Sequence, residues 1–313
     1  MCRVQQAFQG FATIWIVIGL GWFLAHFKLI DEGRRRFLSR FAFTVGSPAL
    51  LALLVSRADL SHLFAASLAV NVLAIVVAAG TYLLIAAIWF RPSLAEGTIG
   101  SLLSSYTNAG NLGLPIATYV LGDGSWVAPI MLIQVGVLQP LALAILDASR
   151  ARAEGRTISL LRYLTLPVRN PITLGVLVGL ALALTHQPIP EFLAPPVELV
   201  GSTAVPLMLI SFGASLRLDP LPGKSPDKAE LAVIIAIKVV LHPLAALLIG
   251  TLAFHLSGPN LMAVTVLAAL PSAQNLYIMA GRYGVREMVA RDAVFMSTIL
   301  CIPVIFVAST VLR

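Results

Sequence analysis

Residues Asn108–Pro115, reading NAGNLGLP, lie inside a long apolar run that covers residues 98–121. Two Asn, two Gly and a Pro stand within these eight positions. Pro115 has no N–H, so the carbonyl of Asn111 loses its helical partner, and glycines such as Gly113 lower the helix preference further. Backbone groups freed inside a membrane must be buried in protein or line a wet cavity. We therefore predict a broken membrane helix with a binding site; the alternative is a packing kink.

The composition around this stretch is that of a polytopic membrane protein. Of the 313 residues, 58% are hydrophobic and 11% are charged, and the mean hydropathy is +0.93. The net charge of +7 lies in short loops rather than along one basic face, which argues against nucleic acid as a partner. Cys2 and Cys301 are far apart, so we expect neither a disulfide framework nor a metal site, and no cofactor. Residues 1–30 are interpreted as a first span rather than a cleaved leader.

Ten apolar runs of membrane-spanning length follow one another along the chain. A membrane helix needs about 20 mostly apolar residues. The runs fall near residues 8–27, 37–56, 64–90, 98–121, 126–146, 170–187, 196–216, 230–254, 260–280 and 292–312. The predicted fold class is an all-α polytopic membrane protein with ten transmembrane helices.

The basic residues between these runs are distributed very unequally. With the loops numbered alternately, one side holds seventeen of the 21 Lys and Arg residues, whereas the other side has Arg3, Arg57 and Arg313. Lys238 is the remaining one and lies inside the eighth run. The positive-inside rule then predicts that both termini lie on the non-cytoplasmic side of the cell (inner) membrane.

The longest loop, residues 147–169, divides the runs into two groups of five, within residues 1–146 and 170–313. Because five is odd, the second group enters the membrane from the opposite side, so a duplication would give an inverted repeat. Three weak alignments in the same order support a repeat: 16–26 with 176–186, 45–54 with 203–212, and 108–114 with 272–278. We predict two inverted five-helix repeats joined by a cytoplasmic linker.

The third alignment places Asn111 over Asn275, which lies in a second polar stretch, PSAQNLY (Pro271–Tyr277). In inverted repeats, helices 4 and 9 would both be broken and would cross at the midplane, with the two Asn facing one another. Half-helix N-termini carry partial positive charge and unpaired N–H groups, which suit an anion. The predicted substrate-binding residues are Asn108, Asn111, Gly113, Pro115, Pro271, Ser272, Gln274 and Asn275.

These two motifs, together with ten spans and a central cytoplasmic loop, resemble the auxin efflux carrier family over essentially the whole chain. The short central loop resembles that of the prokaryotic permeases for small organic acids rather than that of the long plant exporters. The resemblance implies a scaffold domain made of helices 1, 2, 6 and 7 and a transport domain made of helices 3–5 and 8–10. It also implies crossover roles for Asn111, Pro115, Pro271 and Asn275.

Lys238 is a charged residue well inside a predicted span, and His242 lies one helical turn further on the same face. A charge within the membrane is costly and predicts a function, here coupling or charge compensation for an anion. The alternative is that Lys238 extends along the helix to the inside surface. No buried carboxylate partner is evident for it in the sequence.

The predicted function is secondary transport of a small organic anion by alternating access. The substrate would be a mono- or dicarboxylate such as malonate or malate, or an auxin-like acid. The alternative is a sodium- or proton-coupled symporter of another anionic solute, with the architecture of the bile-acid symporters. A membrane enzyme is a remote alternative, because no H-E-x-x-H, G-x-S-x-G or P-loop pattern occurs. Membrane lipid is the other expected partner, and a homodimer is one candidate assembly.

Overall fold

The computed structural model of the chain describes residues 2–57, 65–154, 170–218, 223 and 225–312. Within these ranges the secondary structure is helical and contains no strand beyond one isolated bridge, so the all-α prediction is confirmed there. The helices are α1 Cys2–His26, α2 Glu32–Phe41, α3 Ser47–Ser56, α4 Ala65–Trp89, α5 Leu94–Ser105, α6 Leu114–Ile116, α7 Val127–Ile133, α8 Gln139–Ala153, α9 Pro171–Leu184, α10 Ala194–Ser202, α11 Ala204–Leu218, α12 Lys228–Ala236, α13 His242–Leu252, α14 Gly258–Ala268, α15 Gln274–Tyr283 and α16 Glu287–Val311.

Six helical segments of the described chain are long and apolar enough to cross a membrane. They are Glu32–Ser56, Ala66–Trp89, Gly124–Arg152, Ala194–Leu218, Lys228–Leu252 and Glu287–Val311. Four shorter apolar helices are Ala12–His26, Ala109–Leu121, Pro171–Leu184 and Gly258–Ala268. Each of the ten overlaps one of the apolar runs marked in the sequence. Large apolar side chains such as Leu84 and Ile88 are exposed on the long helices, as expected of a membrane-embedded protein.

Four helical segments of the described chain continue through a proline that follows a wide π turn. The π turns Ala42–Gly46, Ala109–Gly113, Gln134–Leu138 and Ile237–Leu241 are followed two residues later by Pro48, Pro115, Pro140 and Pro243. Where the bond is resolved, the residue before the proline donates to the fifth carbonyl back, as Ser47 does to Ala42. This places the proline in the first turn of a new helical segment, where its missing N–H costs little.

One compact unit comprises Met1–Ala65, Ala109–Leu132 and Val168–Leu221. Its closest helix pairs are α1 with α11 and α3 with α9. A Cβ added at Gly21 would overlap the carbonyl of Ile210, and one at Gly175 would overlap the backbone of Pro48. Backbones therefore approach each other directly at these two crossings, which is a common way for membrane helices to pack.

The other compact unit comprises Ala66–Asn108, Ile133–Pro167 and Pro222–Arg313. Its larger hydrophobic core takes buried side chains from α4, α5, α12, α15 and α16, including Tyr82, Leu103, Ile234, Leu276 and Ala290. A smaller cluster joins α4 and α13 to α14. This unit also contains the C-terminal ends of α5 and α14, where the helical structure is interrupted.

Arg286 ties together three helix starts within this second unit. Its guanidinium forms ion pairs with Glu96 (Nε to Oε1, 3.3 Å), Asp227 and Glu230 (Nη2 to Oε2, 3.3 Å). Glu230 is buried and also accepts a hydrogen bond from the Tyr82 hydroxyl at 2.6 Å. The Ser93 backbone N–H and hydroxyl, together with Arg286, lower the pKa of Glu96. These contacts fix the N-terminal ends of α5 and α12 against the start of α16.

Candidate substrate site at two helix interruptions

The first interruption lies at Tyr106–Asn108 and ends at the first residue of the NAGNLGLP stretch. Helix α5 ends at Ser105, Tyr106 is extended (φ −84°, ψ 117°), and helical structure resumes at Ala109. The expectation that Pro115 breaks the helix was wrong. Pro115 lies in the first turn of α6 after a π turn, so the helix continues through it to residue 121.

The second interruption covers residues 269–273, between α14 and α15. Helix α14 ends at Ala268, before Pro271, as expected for a residue that cannot donate a helical hydrogen bond. Helix α15 begins at Gln274 after Ala273, which is extended and gives no side-chain cap to the helix N-terminus. Here the sequence motif and the observed break agree.

The two interruptions meet through their backbones. Thr107 and Ser272 form an isolated antiparallel bridge, and the Asn108 N–H donates to the Pro271 carbonyl at 2.7 Å. Unpaired backbone groups are costly in a membrane, so each broken helix supplies partners for the other. The chain thus brings together, within the second unit, two extended segments that lie about 164 residues apart in sequence. We call this meeting of residues 106–108 with residues 271–273 the crossing.

Buried side chains complete this crossing. The Ser272 hydroxyl donates to the Leu103 carbonyl at 2.6 Å, and the Ser272 N–H donates to the Ser297 hydroxyl at 3.1 Å. Gln134 donates through Nε2 to the Thr107 hydroxyl at 2.7 Å. These contacts hold the two extended segments in place from both sides.

Asn275 lies in the first turn of α15 and forms a side-chain hydrogen bond with the buried Tyr106. This contact joins the start of one half-helix to the end of another. The amide of Asn275 is half-buried, whereas Ser272 beside it is fully buried. An amide in that position has both donor and acceptor atoms to offer a ligand.

Lys238 does not extend to the surface. Its side chain is fully buried, and its ammonium lies 3.2 Å from the carbonyl oxygen of Ala268 and 2.9 Å from Nδ1 of His242. Ala268 is the last residue of α14, so Lys238 lies at the negative end of that helix dipole. Among the residues that the structure describes, the contacts of the Lys238 amine are with a backbone carbonyl and an imidazole rather than with a carboxylate.

The sequence-predicted site residues fall in both units. Those in the second unit are Asn108, Pro271, Ser272, Gln274, Asn275, Lys238 and His242. Those in the first unit are Asn111, Gly113 and Pro115. The predicted facing of Asn111 and Asn275 therefore stays a prediction. In the described ranges, no group of three His, Cys, Asp or Glu side chains could hold a metal ion.

Four residues of the crossing were missed by sequence reasoning: Tyr106, Thr107, Ser297 and the backbone carbonyl of Leu103. Gln134 is an uncharged polar residue inside the fifth apolar run, residues 126–146. Tyr106 and Thr107 directly precede the NAGNLGLP stretch, and this position in the sequence could have marked them as candidates. Nothing in the sequence around Ser297 distinguishes it from other serines of apolar helices.

Comparison with known proteins identifies the family. The sequence model of a family described as "Membrane transport protein" matches the chain twice, over residues 7–161 and 156–309. The chain belongs to this membrane transport protein family. The resemblance to auxin efflux carriers seen in the motifs is thereby confirmed at the level of the family.

Individual relatives of this membrane transport protein come from bacteria and plants. The "Uncharacterized transporter YfdV" of Escherichia coli (strain K12) is 26% identical over 280 residues, which cover 86% of each chain. A "Putative malonate transporter" of Rhizobium meliloti is 26% identical over 301 residues, covering 91% of this chain and 89% of the relative. A "Probable auxin efflux carrier component 5b" of Oryza sativa is 30% identical over 154 residues, covering 46% and 40%.

Proposed function

We propose that this membrane transport protein is a secondary transporter that carries a small organic anion by alternating access. The observation that carries the proposal is the crossing of two interrupted helices through the Thr107–Ser272 bridge. Broken helices that cross inside a membrane are a frequent substrate site in secondary transporters. The bacterial relative named for malonate supports a small carboxylate as the substrate.

The charge at the crossing favours an anion. The N-terminus of α15, a helix of ten residues, lies directly after the bridge and has no side-chain cap. Such an end carries about half a positive charge, and its first N–H groups point along the helix axis. Lys238 adds a buried amine within the same unit. Asn275 would hydrogen-bond a carboxylate oxygen at this end, with Asn108, Gln274 and Ser272 lining the crossing.

Ten helices in two inverted repeats form the architectural part of the proposal. The family model matches each half of the chain separately, which supports a duplication. In the first unit, α1 packs on α11 and α3 packs on α9. An inverted repeat would exchange these two pairs with one another, because it relates helices 1 and 2 to helices 6 and 7. Residues 109–132 group with that unit, whereas the resemblance assigns all of helix 4 to the transport domain; that assignment stays a prediction.

Uptake into proteoliposomes tests the proposed function. The purified protein should accumulate labelled malonate, malate or an indole carboxylate, and unlabelled substrate on the inside should accelerate exchange. Protein-free vesicles and vesicles with a heat-inactivated sample are the controls. Absence of uptake and of exchange for every acid tested would contradict organic-anion transport. Dependence on an imposed sodium or proton gradient would instead favour the coupled symporter.

The proposed location is the cell membrane, with both termini on the non-cytoplasmic side. A reporter that is fluorescent only in the cytoplasm, fused after Arg313, should stay dark, while the same reporter inserted within residues 147–169 should fluoresce. The opposite pattern would reverse the orientation.

A further inference from the structure

The amine nitrogen of Lys238 donates to the carbonyl oxygen of Ala268, at the C-terminus of a broken helix. The distance from Nζ to the Ala268 oxygen is 3.2 Å, and the lysine side chain has no exposed surface. The last carbonyls of a helix have no helical N–H partners and together carry about half a negative charge. Inside a membrane no water is present to compensate for them. A cation placed here therefore has an electrostatic purpose of its own.

His242 limits this position to one positive charge. Its Nδ1 lies 2.9 Å from the lysine amine, and the imidazole is also fully buried. Two positive groups at that distance in a low-dielectric interior would repel each other strongly. A charged amine at this position therefore requires a neutral imidazole, which accepts a lysine proton at Nδ1 and carries its own proton on Nε2.

The end of the other broken helix is stabilised in a different way. The C-terminal carbonyl of Leu103 in α5 accepts from the neutral Ser272 hydroxyl at 2.6 Å. The two helix ends at the interruptions thus receive different partners, a hydroxyl in one case and a lysine amine in the other. Carbonyl oxygens at the ends of unwound helices are also the groups that coordinate a coupling cation in transporters of this kind of architecture.

We propose that Lys238 is a resident cation, which occupies through its side chain the place where a coupled carrier would bind a free cation. The part of this inference that concerns transport rests on the proposed function, whereas the charge of Lys238 can be tested without any substrate. A side-chain cation at this place predicts uniport or exchange that is independent of sodium, rather than sodium symport. Removing the lysine amine would open a site for a small cation at the Ala268 carbonyl.

Thermal unfolding of the purified protein tests the charge without any substrate. The wild type should unfold at the same temperature in sodium, methylammonium and choline chloride at equal ionic strength. Lys238→Ala should unfold about 5 °C lower, because the helix end loses its partner. Methylammonium or sodium should restore at least half of that loss, whereas choline is too large to enter.

Three further variants separate charge from packing. Lys238→Met fills the space without a charge and should stay destabilised in every salt. Val239→Ala, at the adjacent buried position, removes packing only and should show no response to cations. If Lys238→Ala cannot be purified, Lys238→Gln replaces it and should respond to sodium. A Lys238→Ala protein that is as stable as the wild type, or Lys238→Ala and Lys238→Gln proteins that no small cation stabilises, would overturn the proposal.

Uptake measurements connect the resident cation to transport. The wild type should take up its substrate at the same rate in sodium and in choline, within about twofold. Lys238→Ala should be at least about tenfold faster in sodium or methylammonium than in choline, a difference within the usual range of coupling between two sites. A tenfold requirement of the wild type for sodium would overturn the proposal. If the wild type transports no acid at all, the proposed function fails, and the unfolding experiment still decides the role of Lys238.

Discussion

The two interruptions present the same physical problem with different solutions. At Tyr106–Asn108, the hydrogen-bond partners are uncharged. The Ser272 hydroxyl donates to the Leu103 carbonyl in the last turn of α5, and the Gln134 amide donates to the Thr107 hydroxyl. At residues 269–273, the end of α14 is completed by the ammonium of Lys238. The bridge pairs one segment with the other, but the two helix ends receive different chemical groups.

This difference shows that two helix interruptions in one unit can be stabilised by different chemical groups. Helix ends inside a membrane need donors, and either a hydroxyl or an ammonium satisfies a carbonyl. A hydroxyl leaves the local charge unchanged, whereas the charge proposed for Lys238 would place a positive group at the end of α14. The first interruption is therefore expected to contribute mainly to stability, and the second mainly to ligand binding. Substitutions at the two interruptions, and one far from both, test this division.

The largest effect is expected for Asn275→Ala in α15. Loss of the amide should lower substrate uptake at least about 100-fold, or about 2.7 kcal/mol in transition-state terms, because a carboxylate would lose its polar partner. Asn111→Ala is expected to have a similar effect. Uptake into proteoliposomes measures both, and membrane expression should stay unchanged. Asn260→Ala, in the first turn of α14, is the matched control. Full activity of Asn275→Ala would remove that residue from the site.

The next effect is expected at Ser272, which lies in the second interruption and donates to the end of the helix that precedes the first. Ser272→Ala leaves the Leu103 carbonyl without its donor inside the protein, at a cost of about 1–2 kcal/mol in unfolding free energy. Thermal unfolding in detergent should show the loss. Ser309→Ala is the control, since Ser309 is equally buried but donates within its own helix to Phe306. Equal losses for both serines would mean that the contact across the crossing has no special importance.

A smaller effect is expected for the pair Gln134 and Thr107. A double-mutant cycle with Gln134→Leu and Thr107→Val should give a coupling energy of about 0.6 kcal/mol, typical of hydrogen bonds between membrane helices. Unfolding of the four proteins in the same detergent measures it. A coupling energy of zero would show that the 2.7 Å contact does not stabilise the first interruption.

The smallest effect is expected far from either interruption, at Arg57 and Glu198. Their charged atoms lie 3.9 Å apart, and both side chains are about 60% exposed. Exposed pairs of this kind contribute less than about 0.5 kcal/mol. Arg57→Ala should therefore leave both unfolding and uptake unchanged, and it provides the baseline for the other variants. A clear loss of uptake would assign this end of the first unit a role in transport.

Much of the helical framework follows directly from local properties of the sequence. Apolar runs marked the ten helical segments, and the PSAQNLY motif marked the second interruption, because Pro271 ends a helix through its own missing N–H. The first interruption could not be placed from Pro115. Its position at Tyr106–Asn108 is set by pairing with residues 271 and 272, and such long-range pairing leaves no local signal.

The chemistry of the site was predictable in part. The charge of Lys238 within an apolar run and its proximity to His242 were visible in the sequence. That the amine ends on Ala268 was not, because this contact joins α14 to a turn thirty residues earlier. The contribution of Ser297 depends likewise on tertiary packing between α16 and the crossing.

The π turns before Pro48, Pro115, Pro140 and Pro243 have a consequence for the mechanics of these helices. Each extra residue in the turn rotates the following segment by about 100° relative to a regular α-helix, so the lipid-facing stripe changes its phase there. A wide turn also has weaker hydrogen bonds than its neighbours. Deleting one residue from such a turn would align the lipid-facing stripes of the two segments and make the helix stiffer at that point.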